Sequence, residues 1–384
     1  MSQIVICGGG IAGVSTAVIF AKAGYSVTLI EKYDKGEVGN LEAGEVIRSE
    51  AVRILNKFGF LMNFKDDSNI ILREGEKREL WHYELGKLGD FLYNYYAPEY
   101  PVIHAMHKYI VKLLYKHLED ISNVDLLFNT EVTEISDYKD GTRKVTVRSR
   151  KDGSKREFLG NLVIVADGSN SSLRTKLGVP TEYYDYNAGY LMLYVSKPTD
   201  FTWGRFYLTK QGFVGVFPTS ENMIRIAVEL TPTQLKEWLK NSDDEIITRV
   251  SNMVGMLKGC KIIKRGLYYH VVKRHVKRYV FDGLAIIGDA AHTTHPMLGQ
   301  GMAMVFNDVE AIYETLIKNN VKEFNYKILK EYEGRAKPFN TLVLENNHKL
   351  FFYFHELIKN SKSYENLVKD MIQMGFVPTN VNFN

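Results

Sequence analysis

Three stretches of the 384-residue chain carry residue types at spacings that suit the binding of a nucleotide. The first is Gly8-x-Gly10-x-x-Gly13, between an apolar run from Gln3 to Cys7 and a helical stretch from Ala12 to Ala23. Gly8 permits a tight turn, Gly10 lets a phosphate approach the backbone, and Gly13 lets the helix pack close to the strand. Ile11 and Ala12 open that helix, whose free N–H groups and positive dipole end suit a pyrophosphate. A second apolar run, Tyr25 to Ile30, ends in Glu31 and Lys32, and Glu31 is placed to accept hydrogen bonds from ribose hydroxyls. A glycine turn without a ligand is the competing reading. The strand before, the helix after and the acid at the end of the second strand weigh against it.

Two further junctions place acids after buried strands. Leu162 to Ala166 leads into Asp167-Gly168, and Leu284 to Ile287 leads into Gly288-Asp289, after which Pro296-x-x-Gly299-Gln300-Gly301-Met302 opens a helix. Asp289 is suited to accept from a polyol hydroxyl, and the amides from Gly299 to Met302 to stabilise negative charge on a bound ring. An isolated Asp-Gly is usually a structural turn. Three such junctions in this order belong at the carboxyl edge of one parallel sheet, where open α/β sheets bind ligands.

The elements that must position these loops follow from periodicity. Helices are expected from Ser49 to Phe58, Met106 to Leu118, Thr233 to Lys240, Asp244 to Met256 and Gly301 to Ile317. Asn325 to Leu344 and His348 to Met374 are expected to be mostly helical. Strands are expected in Ile70 to Glu84 and Gly89 to Tyr96 around a turn at Gly86. Val124 to Phe128, Glu131 to Tyr138 and Lys144 to Arg148 read as a small hairpin-type insertion. Tyr190 to Val195, Gly204 to Leu208, Gly212 to Phe217, Met223 to Glu229 and Tyr268 to Val272 read as a second, antiparallel sheet. The fold class is therefore α/β. The division expected is 1–75, 102–180 and 270–320 for a discontinuous nucleotide-binding domain, 76–101 and 181–269 for an antiparallel-sheet substrate domain, and 321–384 for C-terminal helices.

A net charge of +4 argues for neither nucleic acid nor a strongly anionic partner surface. Cys7 and Cys260 are far apart, and Cys7 lies in an expected buried strand, so a reduced, cytoplasmic setting is expected and a disulfide framework is not. Met1-Ser2-Gln3 runs directly into the first strand, unlike a signal peptide. No apolar run is long enough to span a bilayer. There is no Cys-x-x-Cys, His-Glu-x-x-His or Gly-x-Ser-x-Gly, so neither a metal centre nor a nucleophilic triad is indicated.

Together, Gly8-x-Gly10-x-x-Gly13 with Glu31, Asp167-Gly168-x-x-Ser171-x-x-Arg174, and Gly288-Asp289-Ala290-Ala291-His292 with Pro296-x-x-Gly299-Gln300-Gly301 resemble the flavoprotein monooxygenases of the para-hydroxybenzoate hydroxylase type. The resemblance runs from Ile4 to about Leu316. The segment His295 to Met302 is most similar to the branch acting on quinones, quinolones and isoprenoid-type substrates. The resemblance implies a Rossmann-like FAD-binding domain of the GR2 type with FAD as cofactor. It places the pyrophosphate at Gly8 to Gly13, the adenosine ribose at Glu31, the ribityl chain at Asp289 and the flavin pyrimidine edge at Gly299 to Met302. Asp167-Gly168 would serve both the FAD site and the approach of NADH or NADPH, with Arg174 bracing that loop. The family often has an arginine where this chain has His107, and an asparagine where it has Ala303. Both changes remove polar contacts near the flavin, so a variant supplied with reduced flavin by a partner reductase stands beside the usual reading.

The chemistry so implied is reduction of FAD by NAD(P)H, addition of O2, and transfer of one oxygen from a flavin hydroperoxide to a small aromatic substrate. The protein's part is to orient, exclude water and stabilise charge. Tyr190, Met192, Phe206, Phe213, Phe217 and Pro218 are expected near the substrate. Alternation along strands exposes one face only, so about half of them belong to ordinary sheet core. His292 and His295 are the ionisable groups expected closest to the ring, as a base or as structural histidines bonding the loop. The aromatic clusters Phe351 to Phe354 and Leu367 to Phe376 read as packing, with a lid, a dimer contact and peripheral membrane contact as sharper alternatives. Monomer and homodimer both stay open. Competing functions are a flavin-dependent reductase of isoprenoid double bonds, a flavin-binding protein without turnover, and a nicotinamide-only dehydrogenase. The last of these explains Gly8 to Glu31 alone.

Overall fold

The computed structural model describes residues 2–39, 44–65, 67–92, 97–219 and 222–360, and the backbone of 378–381. Strand expectations at Tyr93 to Tyr96, helical ones beyond 360 and the aromatic stretch Leu367 to Phe376 lie outside the described residues.

A short apolar strand ahead of a glycine turn suits a sheet covered on both faces, as parallel sheets are. Strand β1 (Gln3–Cys7) sits at such a centre, paired in parallel with β2 (Ser26–Ile30) and β12 (Leu162–Val165). β19 (Leu284–Ile286) continues the sheet beside β12 and β8 (Val124–Leu127) beside β2, with β18 (Val280–Phe281) antiparallel at one edge. The order is β18-β19-β12-β1-β2-β8. Helix α1 (Ile11–Lys22) is the crossover from β1 to β2 and is buried almost all round, so it shows little amphipathic pattern.

β8 corrects the sequence reading, which grouped Val124 to Phe128 with a hairpin insertion. Its neighbour is β2, about a hundred residues away, a pairing that local composition does not encode. Asn123 fixes it by donating from Nδ2 to the carbonyls of Ala21 (2.9 Å) and Tyr25 (2.6 Å). The insertion itself is three antiparallel strands, β9 (Thr130–Ile135), β10 (Arg143–Ser149) and an unexpected β11 (Lys155–Gly160). Ile70 to Glu84 also divides. β4 (Ile71–Arg73) joins β7 (Val102–Met106) and β3 (Gly44–Ile47) in a small sheet, while β5 (Lys77–His82) goes elsewhere.

A nine-stranded sheet gathers β5, β6 (Gly86–Leu92), β13 (Thr181–Ser196), β14 (Gly204–Thr209), β15 (Gly212–Pro218), β16 (Met223–Leu230), β17 (Ile262–Val276), β20 (His292–Thr293) and β21 (Pro378–Val381). β13 and β17 are much longer than expected because they curve from one domain-sized core to the next through register shifts. Period-two alternation divides the side chains. Leu191, Leu193, Val214 and Val228 meet Trp238 of α6 (Pro232–Trp238) and Ile246 and Val250 of α7 (Asp243–Met253). Tyr190, Met192, Phe213 and Ala227 meet Met297, Leu298, Phe351 and Phe354 on the other side.

Those last two residues lie on α9 (Tyr326–Lys359), one continuous helix of 34 residues where two were expected, with Pro338 inside it. α8 (Gly301–Ile312) begins at the third motif, and its expected extension to Ile317 continues in a wider π turn. α2 (Ser49–Lys57) and α4 (His107–Lys116) match their apolar faces. No described helix is long and apolar enough to cross a membrane.

Candidate functional site

The three motif loops touch one another. A Cβ added to Gly8, where φ is +113°, would lie 2.4 Å from the Ala166 carbonyl oxygen and 3.0 Å from the Cα of Asp167. A Cβ on Gly13 would lie 1.9 Å from the Gly8 carbonyl oxygen, and one on Gly288 2.8 Å from the Cβ of Ala12. Only glycine allows these approaches. Arg174, buried, ties the second loop to the third, donating to the carbonyls of Ser169 (3.2 Å) and Ala290 (2.9 Å).

Two cavities open along these loops. The larger, about 720 Å³, is lined by Gly8, Gly10, Glu31, Lys32, His107, Asp167 and Gly168 among others. The smaller, about 340 Å³, is lined by Asp289, Pro296, Gly299, Gly301 and Met302 on one side and by Tyr190, Met192, Phe213 and Phe217 on the other. Asp167 and Gly168 face the first cavity and Ser169 the second, so one loop borders both.

The larger cavity fits an extended dinucleotide by three observations. Gly10 has no atom within 4 Å of where a Cβ would stand, so the backbone is open to the cavity there. α1 has no capping side chain and no acid in its first turn, which leaves its end N–H groups for an anion. Asp167 accepts from the Leu173 N–H through Oδ2 at 3.3 Å, while its buried Oδ1 has no hydrogen-bond partner. Glu31 is held by backbone donors, Gly9 N–H at 2.7 Å and Tyr33 N–H at 2.9 Å, which fix its carboxylate at the cavity wall.

The third loop is pinned from below. Asp308 of α8, fully buried, accepts from the Gly288 N–H (2.8 Å), from Asn340 Nδ2 (2.9 Å) and from His292 Nε2 (2.7 Å). Burial alone would depress the His292 pKa, but the Asp308 charge and hydrogen bond outweigh it and raise it. His292 is thus a loop anchor away from the cavity walls. Arg48 donates to the Leu298 carbonyl at 3.3 Å and Asn347 accepts from the Leu298 N–H at 3.1 Å, holding the turn before Gly299.

His295 is also off the cavity wall, buried among Tyr186, Tyr190 and Phe351. The base role expected for it meets two obstacles. Its Nδ1 already accepts the Met297 N–H at 3.2 Å. Burial, with His355 and His348 nearby, pushes its pKa down to about 3, so the ring is neutral and a poor proton acceptor.

Of the other expected residues, Ile11, Ala12, Gly13, Gly288 and Gln300 are not among those lining either cavity. Phe206 sits in the aromatic layer beneath Phe213 (5.4 Å) and Phe217 (5.8 Å), and Pro218 ends β15 beyond the cavity. Sequence reasoning missed Asp308, Arg48 and the wall residues Arg225, Ala227, Tyr269 and His270. Asp308 had a signal, one of two acids, with Glu310, inside the otherwise largely apolar run Met302 to Ile312. Arg225 and Ala227 had another, since alternation on β16 sets them on one face and the register pairs Arg225 with Phe217. The Arg225 guanidinium stacks 4.8 Å from the Phe217 ring.

A family model described as an FAD binding domain matches residues 1–347. The chain is 24% identical over 367 residues to 3-demethoxyubiquinol 3-hydroxylase of Escherichia coli K12, covering 91% of this chain and 89% of that one. It is 27% identical over 337 residues to the putative FAD-dependent monooxygenase YetM of Bacillus subtilis, covering 82% and 85%. Among solved structures it is similar in fold to PqsL, a probable FAD-dependent monooxygenase of Pseudomonas aeruginosa. The TM-score is 0.81 at 19% identity, with 96% of this chain and 99% of that one covered. The same protein has been solved with 2-aminobenzoylacetate, at a TM-score of 0.77. The chain belongs to the FAD-binding-domain family and is an FAD-dependent monooxygenase of the para-hydroxybenzoate hydroxylase type.

Proposed function

We propose that the protein hydroxylates a flat aromatic or quinone-like ring held in the smaller cavity, using FAD, O2 and NADH or NADPH. One oxygen atom enters the substrate, the other leaves as water, and the nicotinamide supplies two electrons. The observation that supports this reading is the two-sided cavity, with the Gly299 to Met302 backbone on one wall and an aromatic sheet face on the other. The nine-stranded sheet is read as the substrate half of the molecule and the parallel sheet as the cofactor half.

Bound FAD would supply the redox and oxygen chemistry; this chain's residues would hold and shield it. Gly8 to Gly13 and the α1 N-terminus would take the pyrophosphate, Glu31 and Lys32 the adenosine ribose, and Asp289 the ribityl hydroxyls. The first turn of α8, which carries neither a capping side chain nor an acid, would face the electron-rich edge of the ring. Tyr190, Met192, Phe213 and Phe217 would pack the substrate and keep water out. One relative is named as a hydroxylase of 3-demethoxyubiquinol and PqsL has been solved with 2-aminobenzoylacetate, both ring compounds, which agrees with such a cavity. The test is substrate-triggered NAD(P)H oxidation by the FAD-loaded protein, with oxygen uptake matched to hydroxylated product across phenols, quinolones and polyprenyl aromatics. Protein that retains FAD but couples no oxygen uptake to product with any of them would end the reading.

A second reading, delivery of reduced flavin by a separate reductase, draws on the charge of the larger cavity. Glu31, Glu37, Glu131 and Asp167 line it, against Lys32 and His107. Four acids beside a pyrophosphate weaken its hold by repulsion, which suits a flavin that exchanges.

A further inference from the structure

The smaller cavity has a polar feature that its apolar lining conceals. Tyr190 lies on β13 opposite Glu229 and is only 4% exposed, yet its hydroxyl has no hydrogen-bond partner. The same is true of His295 Nε2, 1% exposed, whose ring centroid is 5.8 Å from that of Tyr190 at an interplanar angle of 84°. The state of the imidazole follows from its other nitrogen. Nδ1 accepts the Met297 N–H, so it carries no proton, and in the neutral ring the proton is on Nε2. Tyr190 and His295 therefore present an O–H and an N–H donor with no acceptor for either. Leaving a buried donor unpaired is costly, so such pairs persist where a ligand completes them.

The surrounding groups do not supply the acceptor. Glu229 on β16 is committed to the Phe213 N–H (3.0 Å) and to His355 of α9 (2.8 Å). Tyr186 on β13 is bonded to His348 of α9 (2.9 Å). Arg225, at the far end of the wall on β16, is itself a donor. Tyr190 stays protonated, since burial and then the Glu229 charge hold its pKa well above the ordinary value.

Resting on the hydroxylase reading above, we propose that the Tyr190 hydroxyl and the Nε2–H of His295 form a donor pair for an acceptor-only oxygen on the substrate ring, a ring carbonyl or a phenolate. Tyr190 lines the cavity and contacts this oxygen; His295 stands behind it as a positioning residue, reaching the oxygen through a bridging water. The pair selects rings that already carry such an oxygen, and provides no base to create one from a neutral phenol.

The experiment is ligand binding by FAD-loaded protein, read by difference spectra without turnover, with two arms. In the first, 4-chromanone is compared with chroman, which lacks the carbonyl. In the second, the ionisation of bound 4-nitrophenol is titrated. A carbonyl site binds 4-chromanone about tenfold more tightly than chroman, equivalent to one good hydrogen bond. A phenolate site makes bound 4-nitrophenol ionise about one pH unit below the free compound. Either effect should vanish in Tyr190→Phe, fall in His295→Leu, and survive in His295→Gln, whose amide N–H stands near the position of Nε2. FAD content and thermal melting of each variant separate misfolding from loss of a donor. Wild-type protein that shows neither effect, or shows one that Tyr190→Phe keeps, overturns the donor pair. Its failure is separable from that of the hydroxylase reading, because coupled oxygen uptake and FAD content are measured independently of these spectra.

Discussion

Gly10 and Gly13 lie three residues apart, yet the structure assigns them opposite tasks, and replacing each with alanine separates binding from folding. A Cβ on Gly13 would sit 1.9 Å from the Gly8 carbonyl oxygen and 3.0 Å from its carbon, both backbone atoms. Relief needs α1 to move away from β1 by more than an ångström. Overpacking of this kind costs roughly 1–3 kcal/mol, and rigid backbone on both sides puts the cost near 3. For a chain of this size that lowers Tm on the order of 5 °C. Gly10 has φ −70° and ψ −174°, a conformation alanine adopts freely, and nothing stands within 4 Å of its added methyl. The lost N-cap preference for glycine and the gain in chain stiffness are each below about 1 kcal/mol and oppose one another. Apo Gly10→Ala should therefore melt with the wild type. Its methyl enters the space assigned to the pyrophosphate, and a loss of about 1.4 kcal/mol or more there weakens FAD binding about tenfold. The assays are flavin fluorescence quenching for affinity and scanning calorimetry of apo protein for stability. A Gly10→Ala protein that binds FAD as tightly as the wild type would refute the placement of the pyrophosphate, whatever Gly13→Ala does.

Asp308→Asn should destabilise by about 3–5 kcal/mol, because it strips the charge from a buried pair that also holds the Gly288 N–H. Since the folded pKa of His292 is raised above 6.5, the pair's contribution is complete below that pH and is lost as pH rises through the folded value. The stability gap between wild type and Asp308→Asn, followed by urea melts, should accordingly narrow toward alkaline pH; a constant gap would show that the pair is not charged. Glu76, fully buried, behaves in the opposite sense. Burial would raise its pKa, but Arg78 and His104 outweigh this and hold it at about 2. Its contribution is present above about pH 4.5 and lost as pH falls toward 2, so Glu76→Gln should close its gap with wild type in acid melts. His292→Asn should lose stability while FAD-loaded enzyme at its lower working temperature keeps the pH profile of turnover, whereas a base role would remove the acidic limb of that profile.

The sequence was informative where function is carried by consecutive residues. Gly8 to Gly13, Asp167-Gly168 and Gly288-Asp289 each announce a strand end and a turn within a few positions, and each of these loops lines one of the two cavities. What the sequence hid is carried by partners far apart along the chain. Val124 to Leu127 pairs with β2 rather than with the strands that follow it, and a buried valine-leucine run looks alike in either sheet. Glu76, Arg78 and His104 look like ordinary surface charges, and only the approach of His104 on β7 to Glu76, the residue before β5, makes them a buried cluster. Of the six residues expected at the substrate, Tyr190, Met192, Phe213 and Phe217 reach the wall because β13 and β15 turn that alternation inward. Phe206 shares the face but belongs to the next strand out, one layer removed from the cavity.

The histidines illustrate why residue type alone misleads. Both lie beside the third motif, and both were candidates for taking a proton. Their roles divide on what α8 and α9 place against them. Asp308 gives His292 a carboxylate, which raises its pKa and ties it to the loop. His295 meets aromatic rings and two further histidines, so it is neutral, and a backbone N–H on Nδ1 fixes its remaining proton on Nε2. α9 is decisive in both cases. It supplies Asn340 to Asp308, Asn347 to Leu298, Phe351 to His295 and His355 to Glu229. A helix that the sequence offered as packing, a lid or an interface thus fixes the groups behind a cavity whose loops lie far from it along the chain. Loosening α9 should act on substrate binding before it acts on FAD. Asn347→Ala, which frees the Leu298 N–H without touching the larger cavity, is the variant that tests this: ring-ligand affinity should fall with FAD affinity unchanged, and an equal loss of both would show that α9 does no more than stabilise the fold.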